Sequence, residues 1–120
     1  MSKKVLIVDD SPTEIQAMKN AIEGGGYEID TALDGTQAVK KCIDFQPDLV
    51  LLDVVMPVKD GFSVCRDIKK NPQTKDIKII IVTGKNKELD KIWSMKQGAD
   101  SYVAKPFEPT ELLEAVAQMI

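Results

Sequence analysis

Histidine is absent from the 120 residues, and cysteine appears twice, at Cys42 and Cys65. The first absence removes Ser-His-Asp and Cys-His nucleophiles and every His-ligated zinc site. The second leaves too few thiols for a disulfide scaffold. Both cysteines stand among aliphatic neighbours in helix-like stretches, which predicts buried, reduced core thiols. Arginine is scarce too, with Arg66 the single one among sixteen basic residues. A planar fork for phosphate or guanine is therefore offered at one place. With a net charge of −3 and a pI of about 5.0, no concentrated positive face is expected, and no direct nucleic-acid binding by this domain. Long apolar runs are also missing. The longest unbroken aliphatic ones, Val5 to Val8, Leu49 to Leu52 and Ile79 to Val82, are four residues each. A membrane-spanning helix needs ~20, so no membrane insertion is expected. Met1-Ser2-Lys3-Lys4 runs straight into a strand-like segment with no signal-peptide pattern. The expected location is the cytoplasm.

What is present is an ordinary globular balance, 43% hydrophobic and 29% charged, over a length that suits one domain. Short aliphatic runs alternate with amphipathic stretches. The pattern predicts strands at Lys4 to Val8, Glu28 to Ala32, Leu49 to Asp53, Lys78 to Thr83 and Ser101 to Ala104. The first, third and fourth are continuous aliphatic runs, as parallel strands buried on both faces require. The first helix is expected from Ser11-Pro12-Thr13-Glu14. Ser11 suits the cap, Pro12 the first helical position, and Glu14 would close a capping box. Ile15, Met18 and Ile22 share one face, and Gly24-Gly25-Gly26 ends the segment. A second helix is expected near Asp34, carrying Ala38, Val39, Cys42 and Ile43. A third follows Asp60-Gly61, with Phe62, Cys65 and Ile68, and stops at Asn71-Pro72. A fourth, Asn86 to Gln97, carries Leu89, Ile92 and Trp93, and Gly98 closes it. A fifth starts at Pro109 and carries Leu112, Leu113, Val116 and Met119. Five βα repeats predict an α/β fold, (βα)5, a doubly wound five-stranded parallel sheet with helices on both faces. A closed eight-stranded barrel would need roughly twice the chain.

In an open sheet of this kind, ligands bind beyond the carboxyl ends of the strands. Strand one ends in Asp9-Asp10, strand three in Asp53, strand four in Thr83-Gly84 and strand five in Ala104-Lys105-Pro106. Each alone is ordinary. With twelve aspartates in the chain, about one Asp-Asp pair arises by chance. Asp after a strand is often a turn or cap residue. Their joint placement is not ordinary: an acidic pair, another Asp 44 positions after Asp9, then a hydroxyl and an ammonium ending the next two strands. Three carboxylates gathered together repel one another unless a cation is present. All the ligands are hard oxygens, which selects an ion like Mg²⁺. Such an ion beside a Lys and a hydroxyl makes a site for a phosphoryl group, with one carboxylate able to act as nucleophile.

The set Asp9-Asp10, Asp53-Val54-Val55-Met56-Pro57-Val58-Lys59-Asp60-Gly61, Thr83-Gly84 and Lys105-Pro106-Phe107 resembles the receiver domain of two-component response regulators. The closest overall likeness is to the single-domain chemotaxis type, and it spans essentially the whole chain as one receiver domain, 1–120. The resemblance implies the flavodoxin-like strand order 2-1-3-4-5, which periodicity alone does not reveal. It implies that Asp53 is the phosphoacceptor, taking a phosphoryl group from a histidine kinase or a small phosphodonor. It implies Mg²⁺ as cofactor, held by Asp10, Asp53 and the backbone carbonyl of Val55, with Asp9 helping through a water. Lys105 would pair with the phosphoryl, Thr83 would move to hydrogen-bond it, and Tyr102 would turn inward behind. The face formed by the fourth helix, the fifth strand and the fifth helix would then change shape and control a downstream protein partner.

Val55 and Lys85 stand where this family tunes hydrolysis of the acyl phosphate. Neither offers a carboxylate or amide to orient water, so slow autodephosphorylation is expected. Trp93 is expected to pack on the fourth helix, so Mg²⁺ should barely change its fluorescence. The segment from Thr83 to Ala99 resembles the stand-alone receivers of type IV pilus motility and phototaxis systems, and a stand-alone protein is the expectation. Its function class is then a signalling switch and not an enzyme. Three alternatives stay open at this point. One is a Mg²⁺-dependent phosphatase with an Asp nucleophile, although Val54-Val55 follow Asp53 where that class places a second acid. Another is the receiver portion of a DNA-binding transcription regulator. The third is a flavin carrier, although Asp9-Asp10-Ser11-Pro12 would repel a phosphate.

Overall fold

Five parallel strands form the sheet in the computed structural model, which describes residues 2–54, 60–84, 92 and 94–120. The strands are β1 (Lys4–Val8), β2 (Glu28–Ala32), β3 (Leu49–Leu52), β4 (Lys78–Thr83) and β5 (Ser101–Ala104), in the spatial order β2-β1-β3-β4-β5. The three continuous aliphatic runs are the three central strands, covered on both faces and fully buried over Val5–Val8, Leu49–Leu52 and Ile79–Val82. The edge strand β2 reads as a mixed polar segment because one side of it has no neighbour. The expected third strand stops one residue early, leaving Asp53 just beyond the ladder.

The helices start where short polar side chains can accept from their free N–H groups. In α1 (Pro12–Ile22), Ser11 accepts from the Glu14 N–H at 3.3 Å. In α2 (Gly35–Phe45), Asp34 accepts from Gln37, and in α3 (Gly61–Lys70), Asp60 accepts from Ser63. The expected capping box at α1 is only half formed. The Ser11 N–H donates to Asp9 Oδ1 at 3.0 Å, so Glu14 is displaced from the return bond. After Ile22 a single 3-10 turn, Glu23–Gly25, precedes Gly26, whose φ of 73° lies in the left-handed region that Gly adopts without a Cβ clash. The C-terminal helix, Pro109–Met119, buries Leu112 and Val116.

Strand parity divides the core into two layers. Val5, Ile7, Leu49, Leu51, Ile80, Val82 and Val103 pack with α1 and the C-terminal helix. Leu6, Val8, Val50, Leu52, Ile79 and Ile81 pack with α2 and α3. Cys42 and Cys65 are free, buried thiols in the second layer. Two apolar residues of the helical patterns lie outward. Ile43 of α2 and Ile92, in the helical residues before β5, are exposed, while Ser94 is fully buried. Leu89 and Trp93, the other residues of that expected pattern, lie outside the described residues. Among the described residues no helix is long and apolar enough to cross a membrane.

Candidate functional site

The site is built by register. β1 pairs with β3 so that Val8 stands opposite Leu52, which brings the next residues, Asp9 and Asp53, level with each other on adjacent strands. Each lies two residues beyond a member of the α1 layer, Ile7 and Leu51, and so continues the same face. This is also where the strand order reverses, β1 leading outward to β2 on one side and β3 continuing on the other. Crevices form at that point. The backbone closes the arrangement: the Asp9 N–H donates to Ala32 O at 3.1 Å and the Asp53 N–H to Val8 O at 3.0 Å.

Lys105 arrives from the far edge. Its N–H donates to Thr83 O at 3.0 Å, extending the β4–β5 ladder by one residue. Two residues after Val103, its side chain reaches the same face and donates to Asp9 Oδ2 at 2.8 Å. The ammonium also lies 3.5 Å from Glu14 Oε2 and 4.0 Å from Asp53 Oδ2. Burial by itself would lower the Lys105 pKa. The Asp9 hydrogen bond and the charges of Asp53, Asp9 and Glu14 outweigh that effect and hold it above its ordinary value. The ammonium is thus a fixed positive charge.

Asp9 and Asp53 are buried, and Asp10 is exposed at the rim. One carboxylate oxygen from each of the three lies within 4.8 Å of the others. Every donor is a hard oxygen, and one ammonium faces several acids. This donor set fits a divalent cation of the Mg²⁺ type, which takes one or two carboxylates and keeps waters. Asp53 Oδ1 accepts from the Val54 N–H at 2.8 Å. The carboxylate is thereby oriented by its own chain before any ligand arrives.

Of the residues singled out in the sequence, Asp9, Asp10, Asp53 and Lys105 converge. Thr83 ends β4 buried, tied to Lys105 through the backbone, and its position alternates onto the α2–α3 layer. Tyr102 is half-buried and packs against that same layer. Val55 and Lys85 lie outside the described residues. Two residues carry more than sequence reasoning assigned them. Glu14 faces Lys105 instead of its own helix turn. Gly61 opens α3 directly against the site, its N–H donating to Val54 O at 2.9 Å. A Cβ there would meet the Asp53 carbonyl oxygen and approach Val54 Cα to 2.8 Å. The Asp60-Gly61 pair was legible as a helix start, but not as a seat for the Asp53 backbone.

Residues 5–117 match the family model described as the response regulator receiver domain. The chain is 40% identical over 113 residues to Protein PilH of Pseudomonas aeruginosa, covering 94% of this chain and 93% of that protein. It is 39% identical over 112 residues to the alkaline phosphatase synthesis transcriptional regulatory protein PhoP of Bacillus subtilis, covering 93% of this chain and 46% of that protein. It thus spans about half of PhoP. The receiver domain of the sensor histidine kinase PA1611 from Pseudomonas aeruginosa PAO1, solved with a magnesium ion coordinated in its active site cleft, superposes with a TM-score of 0.90. The two chains are 28% identical, over 99% of this one and 98% of that one.

Proposed function

The chain belongs to the response regulator receiver domain family, and from that membership we propose that residues 1–120 act as one receiver domain whose phosphoacceptor is Asp53. Receiver domains are phosphorylation-controlled switches of two-component signalling, working between histidine kinases and downstream effectors, and this chain is one. The observation that carries the residue assignment is the convergence of Asp9, Asp10, Asp53 and Lys105 on one sheet edge. An Asp53 carboxylate oxygen forms the bond to phosphorus as the P–N bond of a phosphohistidine breaks, and the imidazole leaves with the donor. Lys105 stands close enough to neutralise an oxygen of the arriving phosphoryl group. Thr83 supplies a hydroxyl from the neighbouring strand end, and Tyr102 follows it inward. Asp10, Asp53 and the Val55 carbonyl, with Asp9 behind, would hold Mg²⁺, which when bound offsets the charge gathered on the phosphoryl oxygens.

The output runs through the helix before β5, β5 itself and the C-terminal helix, by docking to a protein partner. Similarity to PilH supports a role in motility or taxis. The match to PhoP favours a second reading, the receiver part of a transcription regulator. The domain itself is read as a switch with no catalysis beyond its own phosphoryl transfer. It works in the cytoplasm, where a kinase's ATP is. The test is intact-mass spectrometry after acetyl phosphate and Mg²⁺. One added phosphoryl group is expected, dependent on the metal and lost in Asp53→Asn. The same label in Asp53→Asn would demand another nucleophile.

A further inference from the structure

Glu14 has the right residue type at the right helix position to close a capping box, yet it does not. Its place on the Ser11 N–H is taken by Asp9 Oδ1 at 3.0 Å. Freed from that local bond, its carboxylate lies 3.5 Å from Lys105 Nζ. Of the acids around this ammonium, Asp9 is sealed (1% of its side chain exposed), Asp53 is nearly so (10%), and Glu14 is open at 44%. Glu14 therefore stands at the mouth. It also borders the cavity of about 450 Å³ lined by Ala17, Lys105, Pro106, Phe107 and Pro109. Asp53 lies 4.0 Å from the same ammonium, so a phosphodonor arriving at Asp53 meets the field of this carboxylate.

We propose that Glu14 is a specificity-determining residue that favours phosphodonors with a cationic or neutral nitrogen leaving group over those that expel an anion. The proposal rests on Asp53 as phosphoacceptor and deepens that reading. The chemistry is a matter of charge. Phosphoramidate carries its positive charge on the nitrogen that departs; the P–N bond breaks, the Asp53 O–P bond forms, and neutral ammonia leaves. Acetyl phosphate breaks a P–O bond and releases acetate, so negative charge develops on the departing oxygens. A carboxylate beside the site attracts the cationic nitrogen of the incoming phosphoramidate and repels the negative charge that develops on departing acetate.

The experiment compares initial phosphorylation rates with phosphoramidate and with acetyl phosphate, by intact-mass spectrometry, in the wild-type chain, Glu14→Gln, Glu14→Lys and Glu23→Gln. Glu23 is exposed at the other end of α1 and reports the effect of net charge alone. The expected result is that the ratio of acetyl phosphate to phosphoramidate rates rises about fivefold in Glu14→Gln and further in Glu14→Lys, and shrinks with added salt. Glu23→Gln should leave the ratio unchanged. A loss of folding or of helix stability would move both rates together, whereas the ratio isolates the leaving group. An unchanged ratio in both Glu14 variants, or an equal change in Glu23→Gln, overturns the proposal while leaving Asp53 as acceptor intact. Label retained in Asp53→Asn would overturn the underlying reading instead.

Discussion

Lys105 donates to Asp9 at 2.8 Å across 96 positions of the chain, while Asp53 lies 4.0 Å from the same ammonium. The cation is bonded to the acid behind and stands beside the acid that is proposed to react. It can therefore approach a phosphoryl group on Asp53 by a small rotation, and the Asp9 bond is what it gives up. Added charge on Asp53 would draw the ammonium that way.

Lys105→Ala leaves the buried Asp9 carboxylate without its counter-charge. We expect a loss of about 3 kcal/mol in stability by urea denaturation, at the low end for a broken buried pair because the lysine keeps some exposure. Phosphoryl acceptance should fall without vanishing, and partner binding by the phosphorylated variant should be weak. Normal binding of a partner by phosphorylated Lys105→Ala would remove Lys105 from the switch.

Crowded carboxylates make the site a source of repulsion when no cation is bound. Asp10→Asn relieves part of it, so its melting temperature without divalent metal should exceed that of the wild type. Adding Mg²⁺ reverses the order. At a concentration 100 times its dissociation constant, a bound ion adds about 2.7 kcal/mol to the wild type. The variant should gain little. Differential scanning calorimetry with EDTA and with Mg²⁺ measures both arms, and an equal metal response in the two proteins would place the ion elsewhere.

Much of this was legible before any coordinates. The aliphatic runs at Val5, Leu49 and Ile79 are strands because buried parallel strands need apolar residues on both faces, and the polar residues that end them gather at one edge of the sheet. Asp34 and Asp60 mark the helix starts read near them because the bonds they accept are local. What failed was non-local. Glu14 loses its capping bond to Asp9, a competitor on the preceding loop that helix rules ignore. Ile43 and Ile92 fit an apolar periodicity but lie outside the covered arc, since a repeat gives the width of a stripe and not its aim. Gly61 could be read as a helix start, but its closeness to the Asp53 carbonyl exists only once α3 has docked.

Gly61→Ala tests that closeness. The added methyl would be driven into the Asp53 carbonyl oxygen and toward Val54 Cα, and backbone atoms cannot swing aside as a side-chain tip can. Ala raises helix propensity by up to about 1 kcal/mol over Gly, so a purely local view predicts stabilisation. We expect the reverse, a net loss of about 1–3 kcal/mol, the usual range for overpacking, with slower phosphorylation because Asp53 is displaced. A more stable, fully phosphorylatable Gly61→Ala protein would show that the contact relaxes at no cost.

The two thiols give a pH prediction whose sign is fixed by burial. Burial pushes Cys42 from 9.0 up to about 12, and Cys65 up to about 11, where the nearby Lys69 and Arg66 charges hold it slightly lower and Asp100 raises it. A raised pKa in the fold means that the unfolded chain gives up these protons first. Their contribution to stability is therefore complete below pH 9.0 and is lost progressively as pH rises through about 11 and 12. Cys42→Ala and Cys65→Ala should each cost about 1 kcal/mol at pH 7 through lost packing. Each should then lose less stability than the wild type between pH 9 and 10.5, so the curves converge. Lysine and tyrosine titrations are common to all three proteins and cancel in the difference. Urea denaturation at half-unit pH steps reads the convergence. A thiol reagent at pH 8 should label neither cysteine until urea unfolds the chain, and rapid labelling of the folded protein would contradict both the burial and the pH dependence.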